Sequence, residues 1–446
     1  MPERVLVRFE GDGPGAGELT WGQLAIWGVM QDQRSSLHLS GVHPLRAGTS
    51  VDDVAAGVRY LMSRHPSLRT RLSFGADGMR QVLAASGEVA VDIVDAGDAD
   101  PAGTAGAVAR RFESTNFDYA CEWPLRLAVV RQRGVLTHRV LSLCHLAADG
   151  SGAMALVEDL AVRDRAAQPP VPGMQPLEQA RWQRSPAGRR HSDAALRYWE
   201  RLLRSIPARG PGGSGGMCQP RFQEGVYRSP AMYLAARAVA VRTRFSISAV
   251  LLAALAAALG EVTGNNPVVL QLVVSNRFRR RLAATVSPVA QPGLCVIDAA
   301  GITFDEAVTR AWRSATAAAK HAYYDPVRQQ ELLGRVGRER GGETDIAYTY
   351  NDRRVVTRQA ADDTAGPPPA GQELRAALPR STLRWDPKPD LRNPHLSINA
   401  LDVPGAVEIA ILTDTRRVPL ADVEACLRIM EAVLVRAALD PAARTG

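Results

Sequence analysis

The segment Cys144-His145-Leu146-Ala147-Ala148-Asp149-Gly150 joins a strand pattern to a helix pattern. Side chains of residues 135–144 alternate with a period of two, as in a β-strand, which directs Cys144 and His145 to opposite faces. Residues 151–160 repeat apolar side chains at helical spacing. The sequence therefore predicts that His145 lies at a strand end and points into a cleft, with Asp149 buried behind it. Gly150 is expected to supply the backbone freedom of the turn.

The composition is ordinary for a soluble globular enzyme. The chain has 446 residues, 46% hydrophobic and 22% charged, a length that suggests two to four domains or two large lobes. Its five cysteines are scattered and include no CxxC pair. This spacing indicates neither a disulfide framework nor a cysteine zinc site, and it fits a reducing cytoplasm.

No targeting segment, membrane span or cofactor motif is expected. Residues 1–4 lack the apolar core of a signal peptide, and the most apolar run, 249–259, is shorter than the about 20 residues that cross a bilayer. The Gly11-x-Gly13-x-Gly15 run lacks the strand-to-helix context of a dinucleotide site. We therefore expect a cytoplasmic protein with no membrane contact, no metal and no bound flavin or nicotinamide.

The net charge of +8 has three interpretations. It can be a soluble basic surface, or it can favour an acidic partner such as a carrier protein or the phosphates of coenzyme A. Nucleic acid is the third interpretation, and it is the least favoured because the arginine-rich run 277–281 has no interleaved aromatic residues beyond Phe278 and no known nucleic-acid module.

Two lobes are expected, with a boundary in the proline-rich linker 166–173. The first lobe is an α/β unit that ends with the helix after Gly150. In the second, residues 268–274 are apolar almost throughout, as in a strand covered on both faces. Residues 227–241 read as irregular or strand-like, and the breaker-rich stretch 352–379 as an exposed excursion.

Three motifs in a fixed order carry a family resemblance. They are Thr20 to Trp27, then Arg64-His65-Pro66-Ser67-Leu68-Arg69-Thr70, then His145-x-x-x-Asp149-Gly150. Together they resemble the condensation domains of nonribosomal peptide synthesis, a branch of the chloramphenicol acetyltransferase-like superfamily. Asn276-Arg277 followed by residues 286–292 is similar to the fifth motif of that family. The resemblance covers nearly the whole chain.

The resemblance implies a fold, a reaction and partners. The fold would be α/β, with two chloramphenicol acetyltransferase-like lobes in a V and a tunnel between them. Residues 1–170 would form the N-terminal lobe with the HxxxDG motif, and residues 171–446 the C-terminal lobe with floor-loop and bridging excursions. The activity would be an acyltransferase (condensation) reaction, forming an amide or ester from the acyl thioester of an acyl or peptidyl carrier protein and an amine or alcohol, free or tethered. The phosphopantetheine arm, or coenzyme A, would be part of the substrate rather than a bound cofactor.

The resemblance also assigns site residues. His145 would be catalytic, since a histidine can accept the proton of the nucleophile or stabilise the charged intermediate. Asp149 would be structural and pair with Arg277, expected in the other lobe, and Gly150 would form the motif turn. Residues that could contact substrate are Cys144, Ser151 and Asn351.

The chain departs from the family pattern at three places. Cys144 replaces the first of two histidines and can serve as a small buried apolar group. Gly152 stands where a serine is frequent, and Gln291-Pro292 stand where Asn and Thr are usual.

Two alternative functions stay open. One is a coenzyme A-dependent or ester-forming enzyme of the same superfamily, although the DFGWG motif of plant-type members is absent. The other is a non-catalytic platform that recruits another enzyme to a carrier protein, an interpretation that the altered Cys144 supports.

Overall fold

The computed structural model describes residues 3–76, 78–163, 171, 173–206, 221–342, 346–356, 369–388 and 396–446. These residues form two compact units. The first comprises residues 1–191, 275–290 and 325–327, and the second comprises residues 192–274, 291–324 and 328–446. Neither unit is a single continuous stretch of chain.

The first unit contains two sheets and the helices that pack on them. The elements of this unit are β1 (Glu3–Glu10), β2 (Gly15–Glu18), α1 (Trp21–Gln33), β3 (Leu39–Pro44), α2 (Val51–Arg64), β4 (Thr70–Gly75), β5 (Gly78–Leu83), β6 (Ser86–Asp95), α3 (Pro101–Glu113), β7 (Leu125–Gln132), β8 (Val135–Leu143), α4 (Gly150–Ala161), α5 (Pro176–Arg184) and the start of α6 (Pro186–Ser205). The strand orders are β1-β6-β7-β8-β3 in the larger sheet and β2-β5-β4 in the smaller. Helices α2 and α4 pack on one face of the larger sheet, and α3 covers the other. The larger sheet is antiparallel except for the parallel pair β6 and β7.

The second unit is built on one seven-stranded sheet with helices on both faces. Its elements are β9 (Phe222–Ser229), α7 (Pro230–Thr243), α8 (Ile247–Thr263), β10 (Val268–Val274), β11 (Gln291–Ile297), α9 (Phe304–Lys320), α10 (Pro326–Glu339), β12 (Tyr348–Asp352), α11 (Gly371–Ala377), β13 (Thr382–Lys388), β14 (Leu396–Val403), β15 (Ala406–Asp414) and α12 (Leu420–Leu439). The strand order of the sheet is β11-β10-β12-β14-β15-β9-β13. Helices α7, α8, α9 and α12 pack on one face, and the end of α6 with α10 on the other. The alanine-rich α8 is buried.

The units divide at places that differ from the predicted boundary. The predicted linker 166–173 lies mostly outside the described residues, and the chain passes from one unit to the other inside α6. Helix α5 belongs to the first unit because the Gln183 side chain accepts the N–H of Trp21 at 2.9 Å and Gln81 donates to the Pro176 carbonyl at 3.3 Å.

One predicted element is wrong. Residues 227–241 read as irregular or strand-like, but β9 ends at Ser229 and α7 begins at Pro230. The Ser229 hydroxyl accepts the N–H of Met232, and proline is favoured at the first position of a helix. The Ser-Pro pair is therefore a helix start, and the strand reading missed it. Part of the predicted excursion, residues 371–377, is also helical, while 357–368 lie outside the described residues.

Among the described helices none alone has the length and apolarity to cross a membrane. Helices α7 and α8, which meet at 112°, reach them only as a pair.

The segment 275–290 leaves the second unit after β10 and packs on the first. Gly22 in α1 makes this approach possible, because a Cβ added to Gly22 would lie 1.7 Å from the carbonyl oxygen of Pro288. The Asn276 side chain donates to the Val289 carbonyl at 2.9 Å and closes the segment on itself. The N–H of Met174 donates to the Arg281 carbonyl at 2.9 Å and thereby holds the middle of the segment.

Replacing Gly22 by alanine is expected to lower the free energy of unfolding by about 1–3 kcal/mol, because the new methyl group overlaps the Pro288 carbonyl. Gly28 in the same helix is the matched control, since nothing lies within 4 Å of its added Cβ. Gly28→Ala should stabilise the helix by up to about 1 kcal/mol. Denaturant unfolding measures both, and equal changes in the two variants would contradict the packing assigned to Gly22.

Candidate functional site

Asp149 forms the N-cap of α4, at the turn that follows β8. Its backbone is extended, and its Oδ1 accepts the N–H of Gly152 at 2.8 Å. This contact satisfies one of the free N–H groups that every helix start leaves. Asp149 is only 4% exposed, so its carboxylate must find further partners inside the protein.

Arg277 supplies the opposite charge. Its Nη2 lies 2.7 Å from Oδ1 of Asp149, and its Nη1 donates to Oδ2 at 2.9 Å. The backbone N–H groups of Val289 and Ala290 also donate to Oδ2, each at 3.0 Å. With the cap to Gly152, the carboxylate receives five donors from two distant parts of the chain.

This ion pair lies within the first unit, whereas Arg277 was expected in the other lobe. The expectation was wrong because Arg277 follows β10 in the chain but belongs to the segment 275–290, which packs on the first unit. The guanidinium also donates to the carbonyls of Thr285 at 2.9 Å and Ser287 at 3.3 Å. Arg277 thus holds both the turn after His145 and the segment that crosses to it.

His145 follows the end of β8, and its side chain is partly exposed. The backbone N–H of His145 lies 3.4 Å from the carbonyl of Ser36, and the Nδ1 atom of the ring is buried. Residues 146–149 therefore connect the partly exposed His145 ring to the start of α4, where both carboxylate oxygens of Asp149 accept hydrogen bonds. The strand end before His145 and the burial of Asp149 agree with the prediction, and the catalytic role of His145 stays a prediction.

Ser36 supports the strand end, and no signal in the sequence identifies it. Its N–H donates to Oδ1 of Asn116 at 2.8 Å, and its hydroxyl bonds the Tyr119 hydroxyl at 2.9 Å and accepts the N–H of Phe117 at 2.8 Å. All the polar groups of Ser36 are engaged, so its carbonyl is a fixed acceptor for His145. Serine is common in turns, so the role of Ser36 is visible only in the fold.

Cys144 is buried, at 1% exposure, in a cluster with Leu19, Met30 and Leu146. Its Sγ lies 4.0 Å from the Ser36 carbonyl. Burial raises the pKa of the thiol to about 12, so the thiol stays protonated near neutral pH. Position 144, where the resemblance implies a histidine, therefore holds a buried packing group with a protonated thiol in this chain.

The motif turn does not require glycine for its backbone. Gly150 is the first residue of α4, its φ is not positive, and an added Cβ would meet nothing within 4 Å. Ser151 is half-buried at the second position of the helix. Gly152 is tighter, because its added Cβ would lie 3.2 Å from Nη2 of Arg277. Glycine at position 152 therefore leaves room for the ion pair.

Asn351 lies in the second unit, in β12, where its Nδ2 donates to Oδ1 of Asn399 at 3.2 Å. Gln291 opens β11 and is buried, with its amide bonded to the carbonyl and N–H of Tyr324 at 3.0 and 3.2 Å. Gln291 is thus engaged by the backbone. Asn351 is half-buried and has one side-chain partner.

The motif that contains Arg64 and His65 is structural. Both side chains bond the Asp159 carboxylate, from Nε of Arg64 at 2.9 Å and Nε2 of His65 at 2.8 Å. Burial lowers the pKa of His65, and the hydrogen bond to Asp159 opposes this only in part. Arg69 is 1% exposed and donates to backbone carbonyls, including that of Ala84. These three side chains therefore stabilise helix ends and loops, and the sequence analysis did not identify Asp159 as the partner of Arg64 and His65.

Within the described ranges, no group of three or more His, Cys, Asp or Glu side chains is placed to hold a metal ion.

Replacing Arg277 by alanine should lower the free energy of unfolding by about 3–5 kcal/mol, because it leaves the buried Asp149 carboxylate without its counter-charge. The matched control is Arg281→Ala in the same segment. Arg281 pairs with Glu178 at an exposed site, and such pairs contribute about 0–1 kcal/mol. Thermal and denaturant unfolding distinguish the two, and a parental melting curve for Arg277→Ala would refute the role given to the pair.

Cys121 and Cys144 are expected to differ in their rate of alkylation. Cys121 is exposed, whereas Cys144 is buried with a raised thiol pKa. In the native protein at pH 8, iodoacetamide should modify Cys144 on the order of 100-fold or more slowly than Cys121, since the thiolate is the reactive form. Peptide mapping by mass spectrometry measures both sites. Similar rates would show that Cys144 is accessible and ionised.

The comparisons with known proteins agree on one family. A family model for the condensation domain matches residues 19–333. The chain is 28% identical over 291 residues to the AMB antimetabolite synthetase AmbB of Pseudomonas aeruginosa. The aligned region covers 62% of this chain and 23% of that protein. The chain thus spans less than a quarter of the length of that relative.

Solved structures share the fold over almost the whole chain. One describes condensation domain-mediated chain release from the enacyloxin polyketide synthase, with a TM-score of 0.74, 19% identity, and coverage of 96% of this chain and 84% of that one. The X-domain from teicoplanin biosynthesis has a TM-score of 0.72 at 19% identity and 98% coverage of both chains. The predicted α/β class and chloramphenicol acetyltransferase-like fold are confirmed. The V arrangement and the tunnel stay predictions.

Proposed function

Because the chain belongs to the condensation-domain family, we propose that it is an acyltransferase that forms an amide or ester in natural-product biosynthesis. The donor is the acyl thioester of a carrier protein, and the acceptor is an amine or alcohol. The observation that carries the proposal is the partly exposed His145 at a strand end, followed by the Asp149 carboxylate with its five donors.

His145 moves the proton in this reaction. The nucleophile attacks the thioester carbonyl and forms a tetrahedral intermediate, and the imidazole accepts the proton that the nucleophile loses. When the intermediate collapses, the carbon–sulfur bond breaks and the proton passes to the departing thiolate. Since Nδ1 is buried, Nε2 is the nitrogen that we assign to this step. A histidine has a suitable ordinary pKa for both transfers.

Asp149 positions His145 and does not act as a second base. Its two oxygens are occupied by Arg277 and by three backbone N–H groups, and only 4% of the residue is exposed. The carboxylate is therefore a fixed acceptor that holds the residues after His145. This supports His145 as the single catalytic residue of the motif His145 to Gly150.

Condensation domains work with carrier proteins, and this guides the choice of donor. The phosphopantetheine arm of a carrier protein is the donor group that we propose, and the net charge of +8 favours an acidic carrier. Coenzyme A ends in the same arm, so acyl-coenzyme A is the alternative donor. Parallel assays with matched acyl-carrier and acyl-coenzyme A donors, each with amine and alcohol acceptors, distinguish these reactions.

A non-catalytic platform is the second candidate, and Cys144 is the observation that favours it. The position is filled by a buried, protonated thiol where the family has a histidine. The platform would bind a carrier protein and recruit another enzyme to it. Complex formation with a carrier protein, without turnover of any donor, would favour this function.

Replacing His145 by alanine is expected to reduce acyl transfer by about 10²–10⁴-fold, because the proton acceptor is lost. His43→Ala is the matched control, since His43 is an exposed histidine in β3 of the same unit. Initial rates with acyl-carrier donor measure both variants, and their melting temperatures establish that both are folded. Undiminished transfer by folded His145→Ala would refute the catalytic role.

A further inference from the structure

The segment 275–290 of the first unit carries an exposed aromatic ring followed by a run of cations. Phe278 is 62% exposed, the largest value among the large hydrophobic side chains of the described residues. The segment contains four arginines and no acidic residue. One of them, Arg277, is neutralised by the buried Asp149, and the other three follow Phe278 directly at 279–281. Aromatic residues and arginine are enriched at the centres of protein–protein contacts, where most of the binding energy lies.

Backbone hydrogen bonds hold the part of the segment that presents the ring. The N–H of Arg279 donates to the Asn276 carbonyl at 3.2 Å, and the N–H of Leu282 donates to the Arg279 carbonyl at 2.8 Å. Asn276 has a left-handed backbone with a φ of 58°, which asparagine tolerates better than most residues, and the Leu282 side chain is buried. Phe278 therefore lies on a turn that is fixed at both ends. A partner that contacts the ring orders little additional backbone when it binds.

Arg279 and Arg280 place positive charge beside the ring. The guanidinium carbon of Arg279 lies 5.0 Å from the centroid of the Phe278 ring, within the range of a cation–π contact. Arg280 is exposed, and no described residue bonds or pairs with its side chain. Its guanidinium offers N–H groups that match the two oxygens of a carboxylate.

Helix α5 extends this positive surface. Arg281 pairs with Glu178 of α5 at 2.9 Å, so the helix lies beside the segment. Arg181 is exposed one helical turn after Glu178, and its side chain has no bonded partner in the described part of the chain. The surface formed by Phe278, Arg279, Arg280, Arg281, Glu178 and Arg181, here the Phe278 surface, has four arginines and one glutamate. Its complement is a negatively charged partner.

We propose that the Phe278 surface docks an acidic carrier protein, an inference that rests on the proposed function. The ring packs against an apolar side chain of the carrier, and Arg280 and Arg181 bond carboxylates around that side chain. The next residue before Phe278 is Arg277, whose guanidinium bonds Asp149. The carrier is therefore bound at a segment that is joined directly to the motif containing His145.

The composition of the Phe278 surface favours a protein over other acidic partners. Proteins that bind single-stranded nucleic acid stack successive bases on several aromatic side chains, and this surface has one ring. A membrane-binding surface buries a large apolar face among the lipids, and here one apolar side chain stands among arginines. One ring with surrounding cations matches instead an apolar side chain with surrounding carboxylates.

The probe is the acidic acyl carrier protein of bacterial fatty-acid synthesis in its holo form, titrated by calorimetry at low salt. Phe278→Ala and Arg280→Glu should each weaken its binding on the order of 10-fold, because they remove the central ring and reverse a charge beside it. Phe74→Ala and Arg46→Glu are the matched controls, since both residues are exposed in the same unit and Arg46→Glu changes the net charge equally. Both controls should bind as the parent does, and melting temperatures show that all four variants are folded.

Donors with and without a carrier separate docking from catalysis. Phe278→Ala and Arg280→Glu should raise KM for the acyl-carrier donor and leave transfer of the same acyl group from acyl-pantetheine unchanged. The titration uses the holo carrier and needs no turnover. A parent that binds the carrier but transfers neither acyl group would therefore contradict the proposed catalysis and leave the docking result intact.

Two outcomes overturn the docking proposal. One is a parent that does not bind the carrier at low salt, and the other is equal affinity for the carrier in the parent, Phe278→Ala and Arg280→Glu. Anionic vesicles and single-stranded DNA are titrated in parallel. If Phe278→Ala and Arg280→Glu weaken binding to one of these and not to the carrier, the Phe278 surface belongs to that partner and the proposal is wrong.

Discussion

The buried carboxylate of Asp149 is the interaction on which the rest of the first unit depends. It starts α4 through the N–H of Gly152, and it neutralises Arg277. It also receives the N–H groups of Val289 and Ala290, at the far end of the segment 275–290. A buried charge is tolerated only when such partners surround it. The helix start, the crossing segment and the strand end with His145 are therefore stabilised by one group.

The backbone around His145 is held on both sides, by an ion pair on one and by neutral hydrogen bonds on the other. On the C-terminal side the support is electrostatic, through Asp149 and Arg277. On the other side it is neutral, through the Ser36 carbonyl and the hydrogen bonds that fix Ser36 to Asn116 and Tyr119. Salt screens exposed charges more than buried ones, and neither support is exposed. The backbone on both sides of the ring is thus held independently of the surface charge of +8.

Sequence reasoning succeeded where local pattern and motif coincide. The alternation before Cys144 gave β8, and the helical spacing after Gly150 gave α4. Pairing of Asp149 with Arg277 followed from the family resemblance, and the structure brings the two together. Ser36 and the N–H groups at 289 and 290 could not be predicted, because backbone donors carry no residue signature. The unit of Arg277 was assigned wrongly because chain order does not reveal where a connection packs.

The segment 275–290 restricts how genes for this fold can recombine. Strands β10 and β11 pair as neighbours in the second unit, yet the residues that connect them belong to the first. A recombination breakpoint at 191/192 would therefore pass on a first unit with Asp149 but without Arg277. The two units therefore cannot be exchanged between genes as two continuous segments. An exchange that keeps Asp149 paired with Arg277 must also transfer residues 275–290, which connect β10 and β11.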